Sequence, residues 1–257
     1  MEKVILTVNI PTTYDILSNE EKLLWQENKY IREYASKLYT YLSKIDQDAT
    51  LNMFYNLADL WLERMPFLKA IFGDMDGAYM VSANRIRYLS KEAMAHEFMH
   101  MASSYYDYDN DIDYTGLSVS HGKNKKYFGI GLNEGYTETL TARVLYKNHM
   151  EKAYFLESRI SKMLESFFSN YHDMESLYFT NDLEGFIDYF KAFASTKEVN
   201  DLLKEIDTIS RNPYCIMYRL YLYNKIKKTL NDWYIYSMGK TLPSLKSEKQ
   251  KILAKRK

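Results

Sequence analysis

One cysteine, Cys215, is all the thiol this 257-residue chain carries. An internal disulfide is therefore excluded, as is any zinc site built on thiolates, and a reducing compartment suits the chain. Cys215 itself reads as a small buried hydrophobe. An excess of either charge is missing too. Lys plus Arg and Asp plus Glu stand at 34 each, so no global field points to nucleic acid or to an acidic substrate. No run approaches the ~18 apolar residues of a membrane span. The apolar part of residues 1–11, MEKVILTVNIP, is too short for a signal-peptide core, lacks a small-residue cleavage site and reads as a strand. These absences predict a cytoplasmic protein without a membrane span. Proline is scarce at four residues against 25 tyrosines, which with the many Lys, Asn and Ile suggests an AT-rich genome rather than a chemistry. What is present in quantity is apolar side chain, 46% of the total. That suffices for one large domain or for two lobes around a cleft.

The most informative stretch is 90–107, SKEAMAHEFMHMASSYYD. Ser90 is a fitting N-cap, Glu92 suits the positive end of the helix dipole, and neither Gly nor Pro interrupts before Asp107. Inside lies His96-Glu97-Phe98-Met99-His100. Residues four apart stack on one helix face, so His96 and His100 can offer two imidazole nitrogens to one metal ion, with Glu97 beside them as a proton acceptor. Met94, Phe98 and Met101 mark the buried side, so the face with the histidines looks outward into something. Such a pair is also compatible with an ordinary half-buried surface, and a catalytic zinc needs a third ligand and an open fourth position. The metzincin continuation is absent, since Ser103 and Tyr106 stand where its Gly and His would be.

Further on lies Gly131-Leu132-Asn133-Glu134-Gly135-Tyr136-Thr137-Glu138. With the first motif it resembles the gluzincin metallopeptidases, in which N-E-x-x-x-D/E opens a second helix. The resemblance spans about 79–145, leaves out the N-terminal helices and the C-terminal third, and in GLNEGYTETLTARV is similar to small Firmicutes-type members. It implies that Glu134 is the third zinc ligand and that Glu138 bonds a ligating histidine, fixing its tautomer. It also implies that the strand just before the first zinc helix forms the upper rim of the cleft and pairs with an extended substrate.

Taken in order, the chain predicts a helix over 19–45 and a second from Asp48 or Thr50 through Arg64, ended by Pro66. Residues 73–77, GDMDG, form a turn cluster, and 78–89 one or two short strands joined near Ala83-Asn84. The carboxylates of 107–113 fail the EF-hand pattern and read as a solvated acidic loop. Strands over 114–120 and 126–130 flank HGKNK, a hairpin turn. Asn133 caps the next helix, which runs to about Tyr146, with Gly135 leaving room near the metal. Four more helices follow over 151–169, 183–193, 197–209 and 214–236, with Asn212-Pro213 breaking the chain before the last. The expected fold is α+β, mostly α, with a small sheet packed on the HExxH helix and a helical C-terminal lobe, zincin-like in arrangement. Residues 1–239 would form one catalytic domain: a helical scaffold over 1–72, the sheet and zinc helices over 73–149, and the helical lobe over 150–239. Residues 240–257 would be a basic flexible tail.

The implied function is peptide-bond hydrolysis with one catalytic Zn2+, held by His96, His100 and Glu134, with Glu97 as general base and a peptide or protein as substrate. A donor for the developing oxyanion is left open among His121, Tyr171, His172, Tyr178 and Tyr214. A zinc-binding but non-proteolytic regulatory or peptide-binding protein is the alternative, against which the intact Glu97 argues. A helical interaction module with a fortuitous motif is another. No nucleic-acid partner is expected, and the sequence sets no oligomeric state.

Overall fold

The computed structural model describes residues 2–3, 29–65, 76–121, 126–146 and 154–243. The architecture is α+β and mostly helical, with two small sheets. Helix α1 (Lys29–Leu42) buries Ile31, Tyr34, Ala35, Leu38 and Leu42, one face at helical spacing. Helix α2 (Gln47–Ala58) is capped by Asp46, not by Asp48 or Thr50; its carboxylate accepts from the Ala49 amide at 2.9 Å. Nor does α2 reach Arg64. Trp61–Arg64 leaves the helix as strand β2, because these residues pair in parallel with Arg85–Tyr88 (β4), and that pairing outweighs local helix preference. Pro66 lies outside the described residues.

The first sheet has the order β1-β2-β4-β3, with β1 at Glu2–Lys3 and β3 at Gly77–Met80. As the alternation predicts, β3 and β4 are two short strands joined at Ala83-Asn84. Asn84 adopts a left-handed φ of 41°, and its side chain donates to Asn56 O and accepts from the Tyr79 hydroxyl. Strand β4, immediately ahead of the HExxH helix, lies between β2 and β3. The edge beside that helix therefore belongs to β3, not to the strand just before it.

Helix α3 (Lys91–Ala102) starts at Ser90, whose hydroxyl accepts from the Ala93 amide. It ends five residues before Asp107. Ser104–Asp107 is strand β5, although no Gly or Pro stops the helix. The cause is competition for carbonyls. Asn56 donates to Met101 O at 2.8 Å and Ser104 O at 2.7 Å, while the Gly116 amide takes Ser103 O at 2.6 Å. Strand β5 opens an antiparallel meander, β5-β6-β7-β8, with β6 at Ile112–Thr115, β7 at Ser118–His121 and β8 at Lys126–Phe128. The expected acidic loop is the tight turn between β5 and β6, where Asp107 accepts from the amides of Asp109 and Asn110. The expected strand over 114–120 is split at Gly116, whose φ is +51°. Residues 122–125 of the HGKNK turn are outside the described set.

Helix α4 (Ile130–Leu140) begins after Gly129 at φ 82°, so Asn133 sits inside it and is not its cap. It runs on as a π-helical turn over Thr141–Leu145. Five helices follow: α5 (Phe155–Glu165), α6 (Tyr171–Phe179), α7 (Leu183–Phe190), α8 (Thr196–Arg211) and α9 (Ile216–Met238). The apolar pattern predicts four of them and misses α6. That helix is nine residues long and buries Glu175 among Met174, Tyr178 and Phe179, which interrupts the pattern. Cys215, just ahead of α9, is exposed and not a core residue. One cluster of buried apolar residues extends from Ile31 to Leu242 and includes side chains of all nine helices among the described residues. No described helix is long and apolar enough to cross a membrane. The basic segment beyond residue 243 lies outside the described residues.

Candidate metal centre

His96 projects from the middle of α3 and His100 from its last turn, one turn apart, with Phe98, Met99 and Met101 locking the helix into the core behind them. Both histidines are buried from solvent, and their face turns toward a cavity that His100 lines. Helix α4 packs across α3 and brings Glu134 to the same point. His96 Nε2 and His100 Nε2 are 3.1 Å apart, and Glu134 Oε2 lies 3.2 Å from the first and 3.3 Å from the second. The three residues form a cluster that could hold a metal ion. The triangle fits one well. Ligand atoms arranged tetrahedrally at 2.0–2.1 Å from a zinc are about 3.3 Å from each other. Two imidazole nitrogens aimed at each other at such range require a proton or a cation between them.

The back of each ring is also held. His96 Nδ1 donates to Glu138 Oε2 at 3.0 Å, a bond that in the neutral ring directs the Nε2 lone pair toward the cluster. His100 Nδ1 faces Thr137 Oγ1 and Asn133 Nδ2, each at 3.4 Å. Thr137 in turn bonds the Tyr178 hydroxyl at 2.7 Å. Asn133 ties this layer to the meander, accepting from the Leu117 amide at 3.3 Å.

The electrostatics are those of a site short of positive charge. Burial by itself would depress His96, but the Glu134 and Glu138 carboxylates outweigh it and push its pKa up to about 10. Burial works to raise Glu134, yet the charge and hydrogen bonds of His100 and His96 hold its carboxyl well below the usual range. Glu97 is not part of the triangle. It is buried on the β3 side, where the Tyr79 amide donates to it, and burial raises its carboxyl.

A cavity of about 320 Å³ opens onto the cluster. The β3 segment from Gly77 to Met80 forms one wall and the meander's Thr115, Ser118, Ser120 and Tyr127 another, with Glu97, His100 and Glu134 also lining it. None of the five candidate oxyanion donors lines this cavity. His121 is exposed at the end of β7. Tyr171 is exposed with its ring against Arg143. His172 is bonded to the buried Glu175 at 2.6 Å. Tyr178 is wholly buried behind Thr137, and Tyr214 is 81% exposed ahead of α9. Three other tyrosines line the cavity, Tyr79, Tyr127 and Tyr154, and of these Tyr154 stands against the cluster. Its ring stacks on His96 at 5.5 Å and 20°, its hydroxyl bonds Glu134, and the Glu134 charge first, then burial, raises its pKa. Tyr154 lies one residue before α5, where helical periodicity says nothing about it. Gly135 makes no room for a metal either. A Cβ there would come within 2.3 Å of the Glu157 carbonyl, so it is the contact point of α4 with α5.

No family model, characterised protein or solved structure matches the chain.

Proposed function

We propose that the chain is a zinc-dependent peptidase that hydrolyses peptide bonds in the cavity between β3 and the meander. The observation that carries this reading is the donor triangle of 3.1–3.3 Å edges with a buried carboxylate, Glu97, beside it and another, Glu138, behind His96. Two imidazoles and one carboxylate with an open side are the ligand set of hydrolytic zinc sites. Zinc held there would supply Lewis acidity, lowering the pKa of a water and polarising a substrate carbonyl.

The remaining roles fall to the chain's own side chains. Glu97, held by the Tyr79 amide and made more basic by burial, takes the proton of the attacking water and passes it to the leaving amine. Glu138 keeps His96 in the tautomer that points Nε2 at the cluster. Tyr154, in the cavity wall, carries a hydroxyl suited to the developing oxyanion. The β3 edge is the place for an extended peptide to add as a strand.

Zinc analysis combined with a peptide-library digest tests this. One equivalent of zinc, with cleavage that Glu97→Gln abolishes while keeping the metal, is the expected result. Cleavage by purified Glu97→Gln at near wild-type rate would overturn the mechanism. A zinc-loaded wild type that binds peptides and cuts none of the library would favour a non-proteolytic peptide-binding protein.

A further inference from the structure

Nothing in α8 touches the cavity, yet α8 holds the start of the helix that carries Glu134. Helix α4 begins without a cap of its own, because Gly129 has no side chain to accept from the first-turn amides. Two of the donors at this helix start are met from 76 and 78 residues away. Asp207 Oδ2 accepts from the Gly129 amide at 3.0 Å, and its Oδ1 from the Gly131 amide at 2.9 Å. The carboxylate is buried at 4% exposure and reaches both amides because α8 comes against the backbone of α4. A Cβ on Gly131 would lie 2.5 Å from Ile206 O and 3.0 Å from the Asp207 amide. One turn further along α8, Arg211 donates to Tyr127 O at 2.7 Å. Asp207 and Arg211 thus grip the β8–α4 turn on both sides. The residues that follow within two turns are Asn133, Glu134, Thr137 and Glu138, all of the second helix's contribution to the cluster.

We propose that Asp207 is a positioning residue for the metal centre, a carboxylate cap donated by the C-terminal helices that sets the axial position of α4 and hence of Glu134. The negative charge at a helix N-terminus is favourable on its own account. The distinctive part is that it comes from another element, so that α4 cannot slide or fray without breaking two buried hydrogen bonds. A displacement of Glu134 by a fraction of an ångström would open a triangle whose edges are 3.1–3.3 Å. The inference rests on the reading of His96, His100 and Glu134 as a metal centre.

The test uses the full chain, metal-free, titrated with zinc in competition with a chromogenic chelator, alongside thermal unfolding. Asp207→Ala is expected to lose at least tenfold in zinc affinity, in the range of other residues that orient ligands without touching metal. Asp207→Asn keeps the shape but presents one acceptor oxygen, and should fall between the two. Ser210→Ala, on the same helix and bonded to Glu157 at 3.1 Å, should leave zinc affinity unchanged while costing stability. Amide exchange over 130–134 should accelerate in both Asp207 variants and not in Ser210→Ala. If Asp207→Ala does not fold, Asp207→Asn decides. Unchanged zinc affinity in the folded Asp207 variants, with only the unfolding temperature lowered, would overturn the proposal and leave the metal centre standing. A wild type that binds no zinc would sink the metal centre itself.

Discussion

Glu138 and His96 meet at 3.0 Å through Oε2 and Nδ1, on the side of the ring away from Glu134. Both partners are buried, so the contact is not a solvated helix glutamate brushing a neighbour. Its effect is to choose the imidazole tautomer. Glu138→Gln should keep the fold and most zinc at saturating metal, with hydrolysis reduced about 10–100-fold. Glu138→Ala should be worse, since Gln retains a carbonyl acceptor. Zinc titration and turnover measured together check this, and silence of both variants in both assays would remove the role.

Gly77 opens β3 against Glu97. A Cβ at that position would lie 2.8 Å from Glu97 Oε1 and 2.9 Å from its Cγ. Gly77→Ala should therefore push the carboxylate aside without touching His96, His100 or Glu134. The expected signature is a fall in kcat with little change in KM and none in zinc content. An Ala variant as active as wild type would show that Glu97 has room to move and that its placement is not critical.

Tyr154 distinguishes a donor from a packing residue by one atom. Tyr154→Phe keeps the ring stacked on His96 and removes the hydroxyl that bonds Glu134. If that hydroxyl stabilises the oxyanion, kcat should drop by about 10²–10³-fold with zinc retained. A variant with unaltered kcat would confine Tyr154 to packing.

The helix pair that carries the second motif should be sensitive at Gly135. The Cβ of Gly135→Ala would sit 2.3 Å from both C and O of Glu157, and backbone cannot swing away as a side chain can. Overpacking of this kind costs about 1–3 kcal/mol. Denaturant midpoints would show it, and a midpoint equal to wild type would mean that α4 and α5 separate without cost.

How much of this was legible beforehand depends on the range of the interaction. The Ser90 cap, the shared face of His96 and His100, and the two strands meeting at Asn84 depend on residues within a few positions of one another, and all are found where the pattern puts them. The assignment of Glu134 and Glu138 to the same cluster rested on resemblance, and the distances bring both to His96. The misreadings have a common cause. Asn133 looked like a cap because Asn before a helical run usually is one, yet its amide is committed to Leu117 and His100. Helix α6 escaped because its buried face includes Glu175, satisfied by Tyr41 and Arg143 from outside the helix and by His172 within it.

By itself, then, the sequence determined which side chains could share a face and which spacing could hold a metal, because helix and strand periods are properties of a few consecutive residues. Only the tertiary structure decided where α3 stops, what caps α4 and which tyrosine stands against the cluster. Each of these turns on a hydrogen bond or a contact between residues far apart in sequence: Asn56 with Ser104, Asp207 with Gly131, Tyr154 with His96. Local preference is worth a few tenths of a kcal/mol per residue, whereas a buried amide or carboxylate left without its partner costs about 1–3 kcal/mol. The distant partner therefore wins.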